Sequence, residues 1–237
     1  MATIETTQDG NLRAEAWLAL AYFTIYMVYM FVRPEGELMH WLSLVLLPLL
    51  LISLYQRFTS PGWSLRTSLR TIGLRRGNLK TGLAWAIPFG LGLSLVIQLF
   101  LSSNREAFRQ ILLSGKVLYF APLAFVLLLV TVGITEEFFF RGVLQTRLTA
   151  LFKSNVLAVL ATSILFGLYH LPYAYLKPTW PTHGDLGAAF IAAMSNGILG
   201  GIVLGGIYVL ARGNLIAVIF VHALIDVFPA MTQIRFG

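Results

Sequence analysis

Thr135-Glu136-Glu137-Phe138-Phe139-Phe140-Arg141 places two adjacent carboxylates and a guanidinium directly behind Val117–Ile134, a run with no charged residue. The apolar run reads as a membrane-spanning helix. An ionised side chain at such depth costs a few kcal/mol or more, so it faces a partner or a wet cavity rather than lipid. Helical spacing supplies one partner: Glu137 and Arg141 are i,i+4 and share a face. Glu136 is rotated by roughly 100° from Glu137 and is left free for chemistry. Reading outward from here means finding what Glu136 faces.

The whole chain shares the apolar character of this stretch. Of 237 residues, 57% are hydrophobic and 11% charged, against about 25% charged in a soluble domain. The expected fold is all-α, a polytopic transmembrane bundle of about seven spans with a short amphipathic interfacial helix, forming a single integral membrane domain over 1–237. The alternating segments of a β-barrel are absent. With no cysteine in the chain, thiol nucleophiles, disulfides and thiolate metal sites are excluded. The net charge of +7 does not point to nucleic acid, because the Lys and Arg residues sit in loops, as the positive-inside rule expects.

The spans read as Ala14–Val32, Leu38–Tyr55, Thr81–Leu101, Val117 to about Ala150, Asn155–Leu171, Leu186–Leu210 and Leu215–Val227. Arg33-Pro34-Glu35-Gly36-Glu37 and Asn104–Lys116 are expected as outer connections, and Pro172 is expected to end or kink the fifth span. His40, at the mouth of the second, reads as an interfacial polar residue. Gln56–Lys80 carries Arg57, Arg66, Arg70, Arg75, Arg76 and Lys80 and no acid, which marks the cytoplasmic side and places the amino terminus there. Within it Leu65, Leu69 and Ile72 suit a short surface helix. Ser154 or Asn155 is expected to cap the fifth span. Gly197, Gly201 and Gly205 form a face on which another helix can approach closely.

Two further polar groups lie at membrane depth, in Phe166-Gly167-Leu168-Tyr169-His170 and His222-Ala223-Leu224-Ile225-Asp226. At ~1.5 Å per residue, Glu136 lies about 20 Å from an inner end near Ala150, His170 about 22 Å from Asn155, and His222 about 14 Å from Gly213. All three reach the middle of the membrane. Two histidines and two free carboxylates on three helices are costly unless paired or hydrated. They suit a structural polar network, an ion or proton pathway, or a site that activates water. No serine stands in a Gly-x-Ser-x-Gly setting and no Ser-Lys pair is evident in a span, so a catalytic reading means activated water.

In that order, Glu-Glu-x-x-x-Arg, Phe-x-x-x-His and His-x-x-x-Asp resemble the three motifs of the CAAX protease and bacteriocin-processing family, also called Abi. These are intramembrane endopeptidases that include the type II CAAX prenyl endopeptidases. The resemblance covers about Val117–Val227, the expected catalytic core. It implies that Glu136 is the general base that deprotonates water and that His170 holds that water or shares its proton. It further implies that His222 and the residue at Asp226 stabilise the oxyanion, and that Glu137 holds Arg141. Phe166 would support the site. The implied substrate is a membrane-delivered peptide or protein, lipidated or not, and the other partner is membrane lipid. The expected setting is a prokaryotic plasma membrane or a thylakoid, and the site is expected to open to the cytoplasm, on a basic rim formed by Arg147, Lys153 and the basic second connection. Ile72-Gly73-Leu74-Arg75 is a weaker likeness to the same family.

The last motif ends in Asp226 where better-known members commonly carry asparagine. Ionised Asp cannot donate a hydrogen bond to an oxyanion. Asp226 could be protonated, could orient His222, or could help hold a metal. A zinc site from His170, His222 and Glu136 or Asp226 therefore stays open beside a metal-free glutamate mechanism. Against zinc, the helical His-Glu-x-x-His signature is absent. A non-catalytic immunity, scaffold or transport-like membrane protein is the alternative.

Overall fold

The computed structural model describes residues 2–32, 37–74, 79–102 and 104–233. The Arg33–Gly36 part of the first turn, together with Arg75, Arg76 and Arg235, lies outside them. Among the described residues the structure is helical without strands, and seven helices are long and apolar enough to cross a membrane. They are α1 (Asn11–Val32), α2 (Leu38–Thr59), α4 (Gly82–Leu101), α6 (Val117–Phe152), α7 (Asn155–Leu176), α8 (Leu186–Leu210) and α9 (Leu215–Thr232). Two short helices, α3 (Leu65–Thr71) and α5 (Arg105–Leu113), stand between them.

Local chemistry sets the ends of these elements. The Ser64 hydroxyl accepts from the Thr67 amide and starts α3, and the Ser154 hydroxyl accepts from the Leu157 amide and starts α7. Each satisfies an amide that has no partner inside its helix. Lys153, with φ +53°, closes α6 in the left-handed region, so α6 and α7 meet at a tight turn. Two expectations change. α7 does not stop at Pro172 but runs on to Leu176. Asn104–Lys116 is not a plain connection: α5 buries Phe108 and Ile111 against Phe228 and Met231 of α9. The spacing of Phe108 and Ile111, i and i+3, was the available sign of an amphipathic helix.

α8 lies tightly along α7, because a Cβ on Gly197 would stand 2.5 Å from Gly167 Cα and one on Gly201 2.7 Å from Ser163 Cα. Backbones approach this closely only where side chains are missing. The expected small-residue face is thus used, and α7 is its partner. Gly73 has a similar role outside the membrane spans. Its φ of +96° is left-handed, and a Cβ there would meet the Gly213 carbonyl at 2.5 Å. The Leu215 amide donates to the Gly73 carbonyl at 3.0 Å, tying residues 72–74 to the start of α9.

The core is aromatic where α6 and α7 meet α1 and α2. Phe139 and Phe140 are fully buried and pack with Phe23, Phe166 and Tyr169. Along this stretch, Phe138–Gln145, α6 widens into a π-helix, as it does at Leu129–Gly133. Such widening shifts side chains off the ordinary register and recurs at functional sites. Nothing in the residue spacing announced it.

Candidate active site

The Glu136-Glu137 pair stands at the junction between the two π-helical stretches of α6, in a short α-helical turn, Ile134–Glu137. Both carboxylates are buried. Glu137 Oε1 accepts from Arg141 Nη1 at 2.8 Å, the expected i,i+4 pair. It also takes His222 Nδ1 of α9 at 2.7 Å. The direct contact to the last motif therefore comes from Glu137 and not from Glu136. Arg141 further donates from Nη2 to the Gly201 carbonyl at 3.4 Å, and its guanidinium lies 4.5 Å from the centre of the Phe166 ring. A glycine-lined face of α8 exposes the carbonyl that the arginine reaches.

Phe166 is where the three motifs meet. Its ring centre stands 4.7 Å from that of His170 and 6.1 Å from that of His222, both edge-on. The ring thus packs against both imidazoles. His170 Nδ1 lies 2.8 Å from the Phe166 carbonyl. A carbonyl only accepts, so the Nδ1 proton is committed there and Nε2 presents a lone pair. His222 has a carboxylate on each nitrogen: Glu137 on Nδ1, and Asp226 Oδ2 at 3.4 Å on Nε2. The Asp226 side chain is 37% exposed and that of His222 is 8% exposed, so the Asp226 contact is the longer and wetter of the two.

Glu136 has a different environment. Its Oε1 accepts from the Tyr169 hydroxyl at 3.5 Å. Its Oε2 is buried with no hydrogen-bond partner in the protein. His222, Asp226, Glu137 and Arg141 all stand within electrostatic reach of it. A buried carboxylate oxygen without a donor is uncommon, because leaving it unpaired costs the desolvation of that atom. The carboxylate that the sequence left free is the one with an unengaged oxygen.

Sequence reasoning missed two neighbours. Tyr169 stood in a motif as filler, yet it is 1% exposed and reaches Glu136. His40 read as interfacial, yet its Nε2 lies 2.7 Å from the Tyr169 hydroxyl. Arg147, expected on a basic cytoplasmic rim, is instead fully buried and paired with Glu15 at 2.9 Å.

The zinc reading can be tested against the donor set. Among the described residues no group of three or more His, Cys, Asp or Glu side chains stands together as a metal site requires. Both nitrogens of His222 face carboxylates and one nitrogen of His170 is taken by a carbonyl. As arranged here, His170, His222 and Glu136 do not fit a shared zinc ion.

A separate cavity of about 240 Å³ opens near the turn that joins α6 and α7, lined by Gln145, Thr146, Tyr208 and Arg212 among others. It holds none of the motif residues.

Residues 118–228 match the family model described as Rce1-like, type II CAAX prenyl endopeptidase Rce1-like. The matched segment contains all three motifs. No curated protein and no solved structure matches the chain.

Proposed function

With residues 118–228 assigned to the Rce1-like family of type II CAAX prenyl endopeptidases, we propose that this integral membrane protein is an intramembrane endopeptidase that hydrolyses a peptide bond with water activated by Glu136. The observation that carries this reading is the buried Oε2 of Glu136, which has no hydrogen-bond partner in the protein and lies on a carboxylate within electrostatic reach of His222 and Asp226. In this reading one water proton passes to Glu136 Oε2 while His170 Nε2 accepts a hydrogen bond from the same water. The hydroxide oxygen bonds to the scissile carbonyl carbon, and the carbonyl π electrons move onto oxygen. Asp226 gives up its 3.4 Å contact and the oxyanion takes its place as acceptor of the His222 Nε2–H, while Glu137 keeps Nδ1 and so keeps the ring in place. Collapse of the tetrahedral carbon breaks the C–N bond, and Glu136 returns its proton to the leaving amine. Water is consumed, and one new carboxyl and one new amine are formed.

Asp226 orients His222 here instead of donating to the oxyanion itself. The reading is metal-independent, since the donors do not converge on one ion. The substrate is a membrane-delivered peptide, and the family suggests a lipidated carboxyl-terminal segment. The proposed approach is from the side that charge bias makes cytoplasmic.

The test uses purified protein in nanodiscs and an internally quenched, farnesylated CAAX peptide. Wild type is expected to cleave it and to keep its activity after chelator treatment. Glu136→Ala is expected to be folded and inactive. A fully active Glu136→Ala protein would overturn the reading, and chelation-sensitive activity restored by zinc would overturn its metal-free form.

A further inference from the structure

Tyr169 and His40 form a chain that ends on Glu136. His40 Nε2 stands 2.7 Å from the Tyr169 hydroxyl, which in turn stands 3.5 Å from Glu136 Oε1. The three residues come from α2, α7 and α6, so only the folded bundle brings them together. The Tyr169 ring is fixed on several sides: its centre lies 5.2 Å from that of Phe140, 5.6 Å from that of Tyr173 and 6.3 Å from that of Tyr26. A ring held this way cannot carry its hydroxyl elsewhere.

A tyrosine hydroxyl has one proton and can donate once. Between an imidazole nitrogen and a carboxylate it has two arrangements. If His40 Nε2 is bare, the proton goes to His40 and Glu136 loses its donor. If His40 carries its proton on Nε2, it donates to the Tyr169 oxygen, and the Tyr169 proton is directed at Glu136. The second arrangement satisfies all three groups. It holds Glu136 by Oε1 and leaves Oε2 as the one oxygen free to take a proton from water.

We propose that Tyr169 and His40 are positioning residues for Glu136, with His40 fixing the direction of the Tyr169 hydroxyl and Tyr169 fixing the carboxylate. This rests on the peptidase reading of Glu136. Neither residue touches the reacting atoms. Their effect is orientation, so it falls on turnover and leaves binding of the remote parts of the peptide alone.

The experiment compares Tyr169→Phe, His40→Ala and His40→Gln in the full-length protein, in nanodiscs, on the farnesylated CAAX peptide. Tyr169→Phe and His40→Ala are each expected to lower kcat about 10- to 100-fold, with KM held within about twofold of wild type. His40→Gln places an amide nitrogen where Nε2 stands and is expected to recover most of the His40→Ala loss. The double variant Tyr169→Phe/His40→Ala should be no worse than either single one, because the residues act as a unit. A wild-type kcat in Tyr169→Phe, or a His40→Gln no better than His40→Ala, overturns the inference. If Glu136→Gln also retains wild-type kcat, the peptidase reading falls with it. If Glu136→Gln is dead and Tyr169→Phe is fully active, only the positioning role falls. A second readout needs no substrate. The Tm loss caused by Tyr169→Phe should shrink when Glu136 is already Ala, and additive Tm shifts would overturn the contact itself.

Discussion

Arg141 and Arg147 stand on the same helix, each buried and each holding a glutamate, and they differ in how completely they are satisfied. Arg147 uses all its nitrogens: Nε and Nη2 on Glu15, Nη1 on the Gly142 and Thr71 carbonyls, and Nη2 also on the Thr71 hydroxyl. Glu15 gives its other oxygen to Gln56, which accepts from Ser68. The motif pair is incomplete. Glu137 crowds Arg141 and His222 onto one oxygen, and its Oε2, Arg141 Nε and Glu136 Oε2 have no hydrogen-bond partner in the protein. A saturated buried network holds helices in place. An unsaturated one keeps capacity for a ligand, and that capacity is costly to maintain. The difference separates a fastening from a candidate site on one helix, even though both present buried Arg–Glu ion pairs.

Replacing Glu136 is the harshest test of that contrast. Glu136→Gln keeps the volume and removes the proposed base, and general-base removal costs about 10²–10⁴-fold in rate. Its Tm should not fall, since Glu136 Oε2 is engaged by nothing in the fold. Measuring kcat beside Tm checks both halves. A stability loss without a rate loss would make Glu136 another fastening and erase the distinction.

The arginines come next. Removing either strands a buried carboxylate, at about 3–5 kcal/mol. Arg147→Ala should lose that stability while its folded fraction keeps wild-type turnover. Arg141→Ala should lose both, because Glu137 then pulls on His222 alone. Thermal unfolding combined with turnover per folded molecule separates them, and equal turnover in the two variants would break the comparison.

A smaller effect is expected at the helix interface that serves Arg141. Gly201→Ala drives a Cβ to 2.7 Å from Ser163 Cα, and overpacking of this kind costs about 1–3 kcal/mol. Gly206→Ala on the same helix meets nothing within 4 Å and should be neutral or better. A Tm that falls equally in both would deny the close packing of α7 and α8.

Much of the fold was legible because apolar length and capping are local properties. The seven spans, the Ser154 cap and the Gly201 face follow from residues near one another in the chain, and so does the Glu137–Arg141 pair. The Glu15–Arg147 and His40–Tyr169 contacts join residues far apart in sequence. No spacing rule encodes such a pair, and Arg147 alone looks like any inner-loop cation. The π-helical widening of α6 was hidden for a related reason: it depends on what packs against the helix. The candidate residues could be picked out by type and order in the three motifs. Which glutamate holds His222 was not, because adjacent positions differ only by a rotation that tertiary packing decides.

The smallest effect is expected at Asp226, the position where this chain departs from the asparagine common in the family it resembles. Its contact to His222 Nε2 is 3.4 Å long and the side chain is 37% exposed, so the charge is screened and contributes about 0.2–1 kcal/mol. Asp226→Asn keeps an oxygen that accepts from His222 Nε2–H and adds an amide that can donate to an oxyanion. The two changes oppose each other, and kcat/KM should stay within about tenfold of wild type, in either direction, by the same screened magnitude. Asp226→Ala loses the acceptor without gaining the donor and should fall below Asp226→Asn. If Asp226→Asn instead loses activity as severely as Glu136→Gln, then the negative charge at Asp226 is itself required. His222 would then work as one member of a charged Glu137–His222–Asp226 unit, and the saturated and unsaturated halves of α6 would differ in chemistry as well as in satisfaction.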